Sequence, residues 1–371
     1  MKINHNDITN DFEELHKRAE LSFQELKTSQ YIADRLTQAG ISYQTIAGTG
    51  ILATIGSNSQ NAILLRADMD ALPIQEATNL KYASTTPNVM HACGHDFHSA
   101  VLLNVLIAIQ KNPPKDRTIL GLFQPGEEVA PGGAKLVLES GVLSNYNIKY
   151  ALGLHTSTEL TTGTVGICKG AFMASSDELH FSVKGTAGHA AIVPQSENPV
   201  WRSAEFLSAL HNIEVPKDTA HILSIGRVEA LGATNVIPAS VEIQGTLRTF
   251  SEEHRHYCKA QISRLVEQYG VENRMVEGYD VLYNNEELCD KAIEIITSMT
   301  PLTIKTIPPR LTSEDFSRFS QLYPSLFLRV GVTEGGAEAT KAHTSSFRVD
   351  PNALKPCAEM MQAIAFNIKI M

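Results

Sequence analysis

Nine consecutive residues, Met90-His91-Ala92-Cys93-Gly94-His95-Asp96-Phe97-His98, hold one thiol, three imidazoles and one carboxylate, so any fold for this chain must find partners for that set. In an extended segment alternate side chains fall on the same side, which lets Cys93 and His95 reach one ion. An isolated Cys-x-His more often pairs a buried small hydrophobe with a solvated histidine. The flanks argue otherwise. The polar loop Ser84-Thr85-Thr86-Pro87-Asn88 precedes the cluster, and a run from Ser99 to Gln110 follows, with Val101, Leu102, Val105, Leu106 and Ile109 spaced along one helical face. The histidines are expected at a helix entrance, a backbone position suited to a site.

Two further polar groups stand at the ends of apolar runs. Thr118 to Phe123 reads as a buried strand that breaks at Gln124-Pro125-Gly126-Glu127-Glu128, where Pro and Gly force a turn. Adjacent carboxylates are costly unless a cation or a proton offsets them. Tyr150-Ala151-Leu152-Gly153-Leu154 is a second such run, and it leads into His155. Taken singly, each has a bland reading, a solvated turn or a structural histidine. Their repetition fits an open α/β sheet, which places ligands beyond the carboxyl ends of its strands.

Six segments together carry a resemblance. They are Arg66-Ala67-Asp68-Met69-Asp70-Ala71-Leu72-Pro73, Met90 to Ala100, Phe123 to Glu128, Gly185 to Ala191, Ser313 to Phe316 and Ala342 to Thr344. In this order, and across nearly the whole chain, the set resembles the M20 metallopeptidase family. Within it, the likeness is to the amidohydrolase branch of aminoacylases, hippurate hydrolases, auxin-conjugate hydrolases and N-acetyldiaminopimelate deacetylases. The resemblance implies a zinc-peptidase-like α/β/α catalytic domain and two divalent ions per subunit, with Cys93, His95, Glu128, His155 and His343 as ligands and Glu127 as general base. Relatives with a His-x-Asp motif use the His as a ligand, whereas this chain reads Asp68-Met69-Asp70. Cys93 is then expected to supply the missing ligand and Asp70 to orient one. The alternative, that Asp68 and Asp70 only stabilise the following turn, stays open. Thiolate and imidazole favour zinc; manganese, cobalt and nickel also suit a mixed donor set.

Two departures stand beside the site. Relatives commonly read His-x-x-Pro-Glu near the start; here His16-Lys17-Arg18-Ala19-Glu20 lacks the proline, so the helix break it would give is weakened. After the last ligand this chain runs Thr344-Ser345-Ser346-Phe347, again without the proline common in relatives. Both bear on substrate preference rather than on chemistry.

The middle of the chain has another rhythm. Leu179, Phe181 and Val183 alternate with polar residues as in a half-buried strand; Asn198 to Leu210 reads as helix and His221 to Glu229 as strand. Val241, Ile243, Gly245 and Leu247 alternate again. Cys258, Ile262, Leu265, Val266 and Tyr269 follow at helical spacing until Gly270, and a strand between Val271 and Tyr283 closes the series. The order βαββαβ is ferredoxin-like. His155 precedes this unit and His343 follows it, so it is an insertion: a discontinuous catalytic domain of 1–170 and 284–371 around an inserted domain of 171–283. The family uses such a domain as a lid and dimer surface, so the resemblance implies a homodimer. At 371 residues the chain exceeds one typical core, consistent with two domains.

Within the insertion, Gly185-Thr186-Ala187-Gly188-His189 is a small-residue loop that allows close approach, after which His189 can donate to a developing oxyanion. Spacing alone also admits a surface loop histidine. Similar enzymes hold substrate with an Asn and an Arg at the positions of Asn235 and Arg248. A guanidinium suits a carboxylate because its fork binds both oxygens; an outward-facing arginine on an edge strand is the functionless alternative.

These parts imply a mechanism. Water between two divalent ions is acidified towards a pKa of about 7, Glu127 takes its proton, and attack on an acyl carbonyl follows. His189 steadies the oxyanion, and Glu127 returns the proton to the departing amine. The expected substrates are N-acyl-L-amino acids, the expected products a carboxylate and a free amino acid. A dipeptidase or an N-acetyldiaminopimelate deacetylase is the nearest rival, a catalytically inactive binding protein the rival of another class. A thiol hydrolase with Cys93 as nucleophile and His95 as base lacks an orienting third group.

A net charge of −9 disfavours nucleic acid and anionic membranes as partners. No run of eighteen apolar residues appears, the first residues lack the apolar core of a signal peptide, and the five cysteines are scattered and odd in number. A cytoplasmic enzyme is the expectation.

Overall fold

The computed structural model describes residues 3–214, 220–334 and 341–369. It contains two compact units: Met1–Gly170, Tyr283–Pro308 and Asp315–Met371 form the first, Ala171–Leu282 and Pro309–Glu314 the second. The sequence reading leaves Pro309–Glu314 with the catalytic domain. The segment instead packs with the second unit, because the Arg310 amide donates to the Phe172 carbonyl at 2.8 Å and the Ala174 amide to the Arg310 carbonyl at 3.0 Å.

The first unit is built on an eight-stranded sheet, in the order Ser42–Ile46, Gly50–Ile55, Thr118–Gln124, Ala62–Asp68, Ile148–Thr161, Ser325–Thr333, Thr164–Ile167, Thr303–Thr306. Thr118–Gln124, Ala62–Asp68, Ile148–Thr161 and Ser325–Thr333 are mutually parallel. Both faces are covered, so the strands read as unbroken apolar runs rather than alternating ones. Ile63 and Leu65 enter the main core with Val101 and Val105 of helix His95–Gln110 and with Met360 and Ile364 of helix Leu354–Asn367. Leu64, Leu120 and Leu122 point to the opposite face and are equally buried. Helices Gly133–Glu139 and Ser317–Ser320 pack on Thr118–Gln124 and Ser325–Thr333 respectively. This is the expected α/β/α arrangement.

Two local expectations need correction. The run after the Cys-His cluster is not an amphipathic helix beginning at Ser99: the helix starts at His95 and is buried on nearly every side. It lies against the sheet and against helices His5–Lys17 and Leu354–Asn367, which leaves no face for solvent. The missing proline after His16 does not prolong the first helix, which ends at Lys17 with Arg18 as its cap.

The second unit is a four-stranded antiparallel sheet in the order His221–Glu229, Ser240–Thr249, Asp177–Lys184, Glu272–Glu277, with helices Pro199–His211 and Glu252–Tyr269 in the chain order βαββαβ. Leu179, Phe181 and Val183 meet Phe206, Leu210 and Ile262 in its core. Ser240–Thr249 is an interior strand, so Arg248 does not stand on an edge. A two-residue ribbon outside this pattern pairs Gly188–His189 with Val236–Ile237. Among the described residues no helix is long and apolar enough to cross a membrane.

Candidate metal centre

Three adjacent parallel strands of the first unit deliver the polar groups. Ala62–Asp68 ends in Asp68 with Asp70 just beyond, Thr118–Gln124 runs into the turn that carries Glu127 and Glu128, and Ile148–Thr161 holds His155. His155 does not cap its apolar run as the sequence suggests. The strand continues to Thr161, because its ladder with Ser325–Thr333 extends that far and pairs His155 with Arg329. The chain enters helix His95–Gln110 through Gly94, at φ +92°, and a Cβ there would lie 2.6 Å from the Thr156 hydroxyl oxygen. That hydroxyl donates to the Cys93 carbonyl at 2.9 Å. Glycine at this position therefore lets the cysteine segment approach the strand that carries His155.

Cys93 Sγ lies 3.3 Å from His155 Nε2. The donor atoms of Cys93, His95 and His155 fall within 4.8 Å of one another, as do those of Cys93, Glu128 and His343, so Cys93 belongs to two overlapping groups. Glu127 forms a further group with His95 and Glu128 on the same criterion. His343 Nε2 is 3.4 Å from Glu128 Oε1. Its backbone takes φ +61°, a conformation rare for a residue with a Cβ, and its amide donates to the Ala92 carbonyl at 2.8 Å.

Neighbours decide which nitrogen of each ring is free. His95 Nδ1 donates to Asp70 Oδ1 at 3.1 Å and His155 Nδ1 to the Thr156 carbonyl at 2.8 Å, so in each ring Nε2 is the nitrogen left to face an ion. Asp70 is in turn held by the Ser22 hydroxyl at 2.7 Å and the Glu128 amide at 3.0 Å. These bonds reach beyond the turn that follows Asp70. Both nitrogens of His98 are committed, Nδ1 to Asp68 Oδ1 at 2.6 Å and Nε2 accepting from the Thr156 amide at 2.9 Å. Its donor atom also lies within 4.8 Å of those of Asp68 and His95, but each of its nitrogens already has a protein partner. Asp68 also meets Arg66 at 2.7 Å. His91 is buried with neither ring nitrogen hydrogen-bonded among the described residues, and burial pushes its pKa down to about 4.

The donor set fits a divalent cation. His95 Nε2 is buried without a hydrogen-bond partner among the described residues and faces Glu128 Oε1 at 3.9 Å, an arrangement costly unless something positive lies between them. With protein atoms alone, burial pushes the Cys93 thiol up to about 12 and holds His155 well below its usual range. Burial also works against a charged His95, but the Asp68 carboxylate and its other neighbours outweigh it and raise that group. A cation would reverse the penalty on the thiolate.

His189, Asn235 and Arg248 lie in the second unit. The first two are brought together: the Ala190 amide donates to the Asn235 carbonyl at 3.0 Å across the ribbon, and both residues are exposed. His189 Nδ1 accepts from the Ala191 amide at 3.1 Å, which leaves Nε2–H as a donor. Arg248 donates to the Leu311 carbonyl at 2.9 Å, and partial burial lowers its pKa. Sequence reasoning missed the supporting roles of Ser22, His98 and Thr156. The only sequence signal was the third imidazole of the cluster, which spacing cannot tell from a ligand.

Residues 64–367 match the family described as Peptidase family M20/M25/M40. The chain is 33% identical to an N-acetylcysteine deacetylase of Bacillus subtilis, over 98% of this chain and 97% of that one. It is also 33% identical to thermostable carboxypeptidase 2 of Saccharolobus solfataricus, over 96% and 94%. A solved Bacillus subtilis structure, described as a dinuclear metal-binding peptidase of the M20 family, is 30% identical, has a TM-score of 0.83 and covers 97% of each chain. A match of that length, on a fold that gathers thiol, imidazole and carboxylate donors beside adjacent parallel strands, makes the chain a metal-binding hydrolase of peptidase family M20/M25/M40.

Proposed function

We propose that the chain hydrolyses N-acyl-L-amino acids to a carboxylate and a free amino acid, using two divalent ions. The observation that carries the reading is the convergence of His95 Nε2, buried without a hydrogen bond among the described residues, and Glu128 Oε1, 3.9 Å from it, inside the two groups that share Cys93. His95 and His155 would hold one ion with Cys93, and Glu128 and His343 the other. Zinc suits the thiolate and imidazoles; manganese, cobalt or nickel would also fit. Ions so held supply Lewis acidity, making water usable as a nucleophile near neutral pH and polarising a carbonyl.

The protein's own groups do the rest. Asp70 occupies His95 Nδ1 and so turns Nε2 towards the ion, and the Thr156 carbonyl does the same for His155. Glu127, buried beside Glu128, takes the proton of the attacking water and delivers it to the amine nitrogen as the acyl C–N bond breaks. His189, with Nε2–H available, donates to the carbonyl oxygen as it gains charge. In this reading His189 is supplied by a second copy of the chain. Mixing inactive His189→Ala with inactive Glu127→Gln should then restore partial activity, and a monomeric, fully active protein would remove that part. Arg248 and Asn235 hold the α-carboxylate.

Relatives of equal identity include a deacetylase and a carboxypeptidase, so the acyl side is the point to test. The test is a panel of N-acetyl amino acids, their carboxamides, N-acetyldiaminopimelate and dipeptides, with enzyme stripped and reloaded with each metal. Acids should be cleaved and carboxamides poorly, with Arg248→Ala raising KM for the acids. Equal cleavage of acid and amide would replace this reading with a broader amidase, and preference for dipeptides with a peptidase.

A further inference from the structure

Glu25 is fully buried, yet no cation pairs with it among the described residues, and it does not serve the helix it introduces. Helix Leu26–Gln38 is capped instead by Glu20, whose carboxylate accepts from the Lys27 and Thr28 amides at 2.8 and 3.0 Å. The Glu25 side chain turns away to three other donors. These are the Phe23 amide at 2.8 Å, the Thr49 hydroxyl at 2.6 Å and, 101 residues along the chain, the Gly126 amide at 2.9 Å. A buried carboxylate with only neutral partners is costly to keep. Something other than local stability accounts for it.

Gly126 directly precedes Glu127 and stands at φ +58°, with the Phe23 ring 2.4 Å from where its Cβ would be. Phe23 itself takes φ +65°, a strained conformation for an aromatic residue. The Gly126 carbonyl accepts from the Gly133 amide at 2.9 Å, and the Glu128 amide donates to Asp70 at 3.0 Å. The peptides on both sides of Glu127 are therefore tied to residues outside the turn. Glu25 adds a third tie one peptide further back, at the Gly126 amide.

We infer that Glu25 is a positioning residue for Glu127: through the Gly126 amide it fixes the turn so that the base carboxylate stands beside Glu128 and His95. The inference rests on the reading of Glu127 as the base. Without the clamp the turn keeps its other ties but loses the one that anchors its entry, and a displacement of about 1 Å at a reacting group costs on the order of 100-fold in rate.

The test compares Glu25→Ala and Glu25→Gln with the parent as metal-loaded enzymes. Glu25→Ala should lower kcat about 100-fold and leave KM within about threefold, while Glu25→Gln, whose amide oxygen still accepts from Gly126, should stay within about threefold of the parent in both. Metal content should be unchanged in all three. Hydrogen exchange at the Gly126 amide reads the clamp without catalysis: it should quicken in Glu25→Ala and return towards the parent rate in Glu25→Gln. If Glu25→Ala does not fold, Thr49→Val, which removes one donor to the carboxylate, should still slow kcat about tenfold at full metal content. The inference is overturned by unchanged kcat in the variant that folds, by metal loss in step with activity, or by unchanged Gly126 exchange. Should Glu127→Gln remain active, the reading of the base fails instead, and the exchange result still judges the clamp.

Discussion

His95 and His155 of the first unit and His189 of the second are held by different means. His95 and His155 are buried on or beside central parallel strands, and each has Nδ1 committed to a fixed acceptor. His189 is exposed on a two-residue ribbon, steadied through its Nδ1 by the amide of Ala191 two residues on. The first arrangement fixes atom positions before any ligand arrives, as a charge-bearing site requires. The second fixes only which nitrogen carries the proton. Substitutions at His95 or His155 should therefore alter metal content and chemistry together, and those at His189 should alter rate alone.

The largest effect expected from that contrast is on the metal. Chelation should take hydrolysis to background and readdition of the ion should restore it. Because Cys93 belongs to both donor groups, Cys93→Ala should lower occupancy of both ions, whereas His343→Ala should lower one. Elemental analysis decides, and full occupancy in Cys93→Ala would break the assignment.

Next comes the base. Glu127→Gln keeps shape and removes basicity, so kcat should fall by about 10²–10⁴ while metal content stays at the parent's level. Loss of metal here, with retention in Glu128→Gln, would exchange the two roles. His189→Ala should cost about 10²–10³ in kcat, the scale of a lost oxyanion donor, again without metal loss. An effect of His189→Ala on metal content would erase the distinction between the two regions.

The smallest effect concerns stability, and it too separates the units. In the first, His16 joins Asp96 at 2.6 Å and Glu76 at 3.2 Å. Burial opposes its charge, but the hydrogen bonds to Asp96 and Glu76 outweigh burial and raise its pKa to about 9. A folded pKa above the unfolded value of 6.5 means stabilisation that is complete below pH 6.5 and lost as pH rises through 9. Urea unfolding should show a decline of roughly 3 kcal/mol over that window, absent in His16→Gln. The corresponding pair in the second unit, Arg255 with Asp177 at 2.8 Å on both oxygens, stays charged throughout and adds no slope there. A parent curve that is flat from pH 6.5 to 9 would show that His16 is not charged in the folded protein.

Much of this was legible in the residues. Period-two and helical spacing located the βαββαβ unit, since such patterns report a half-buried sheet and amphipathic helices directly. The continuous apolar runs of Thr118–Gln124 and Ile148–Thr161 announced a sheet buried on both faces, but they hid where the latter strand ends, because a run buried throughout carries no alternation to mark its limit. The same burial disguised helix His95–Gln110 as one-sided. Donor chemistry was visible in the Met90–His98 cluster, and the selection among its imidazoles was not.

What the sequence by itself determined is therefore the kind of element at each place and the kind of atom available there, both of which depend on near neighbours in the chain. What only the tertiary structure decided is how those atoms are used. His95 and His98 are three residues apart and chemically identical, yet Asp70, 25 residues away, frees Nε2 of the first, while Thr156, 58 residues away, occupies Nε2 of the second. Glu25 could not be connected with the Glu127 turn until the fold brought its carboxylate to an amide 101 residues distant. Proton placement and the tethering of a turn follow from contacts between distant segments, and no local periodicity encodes which distant segment will be near.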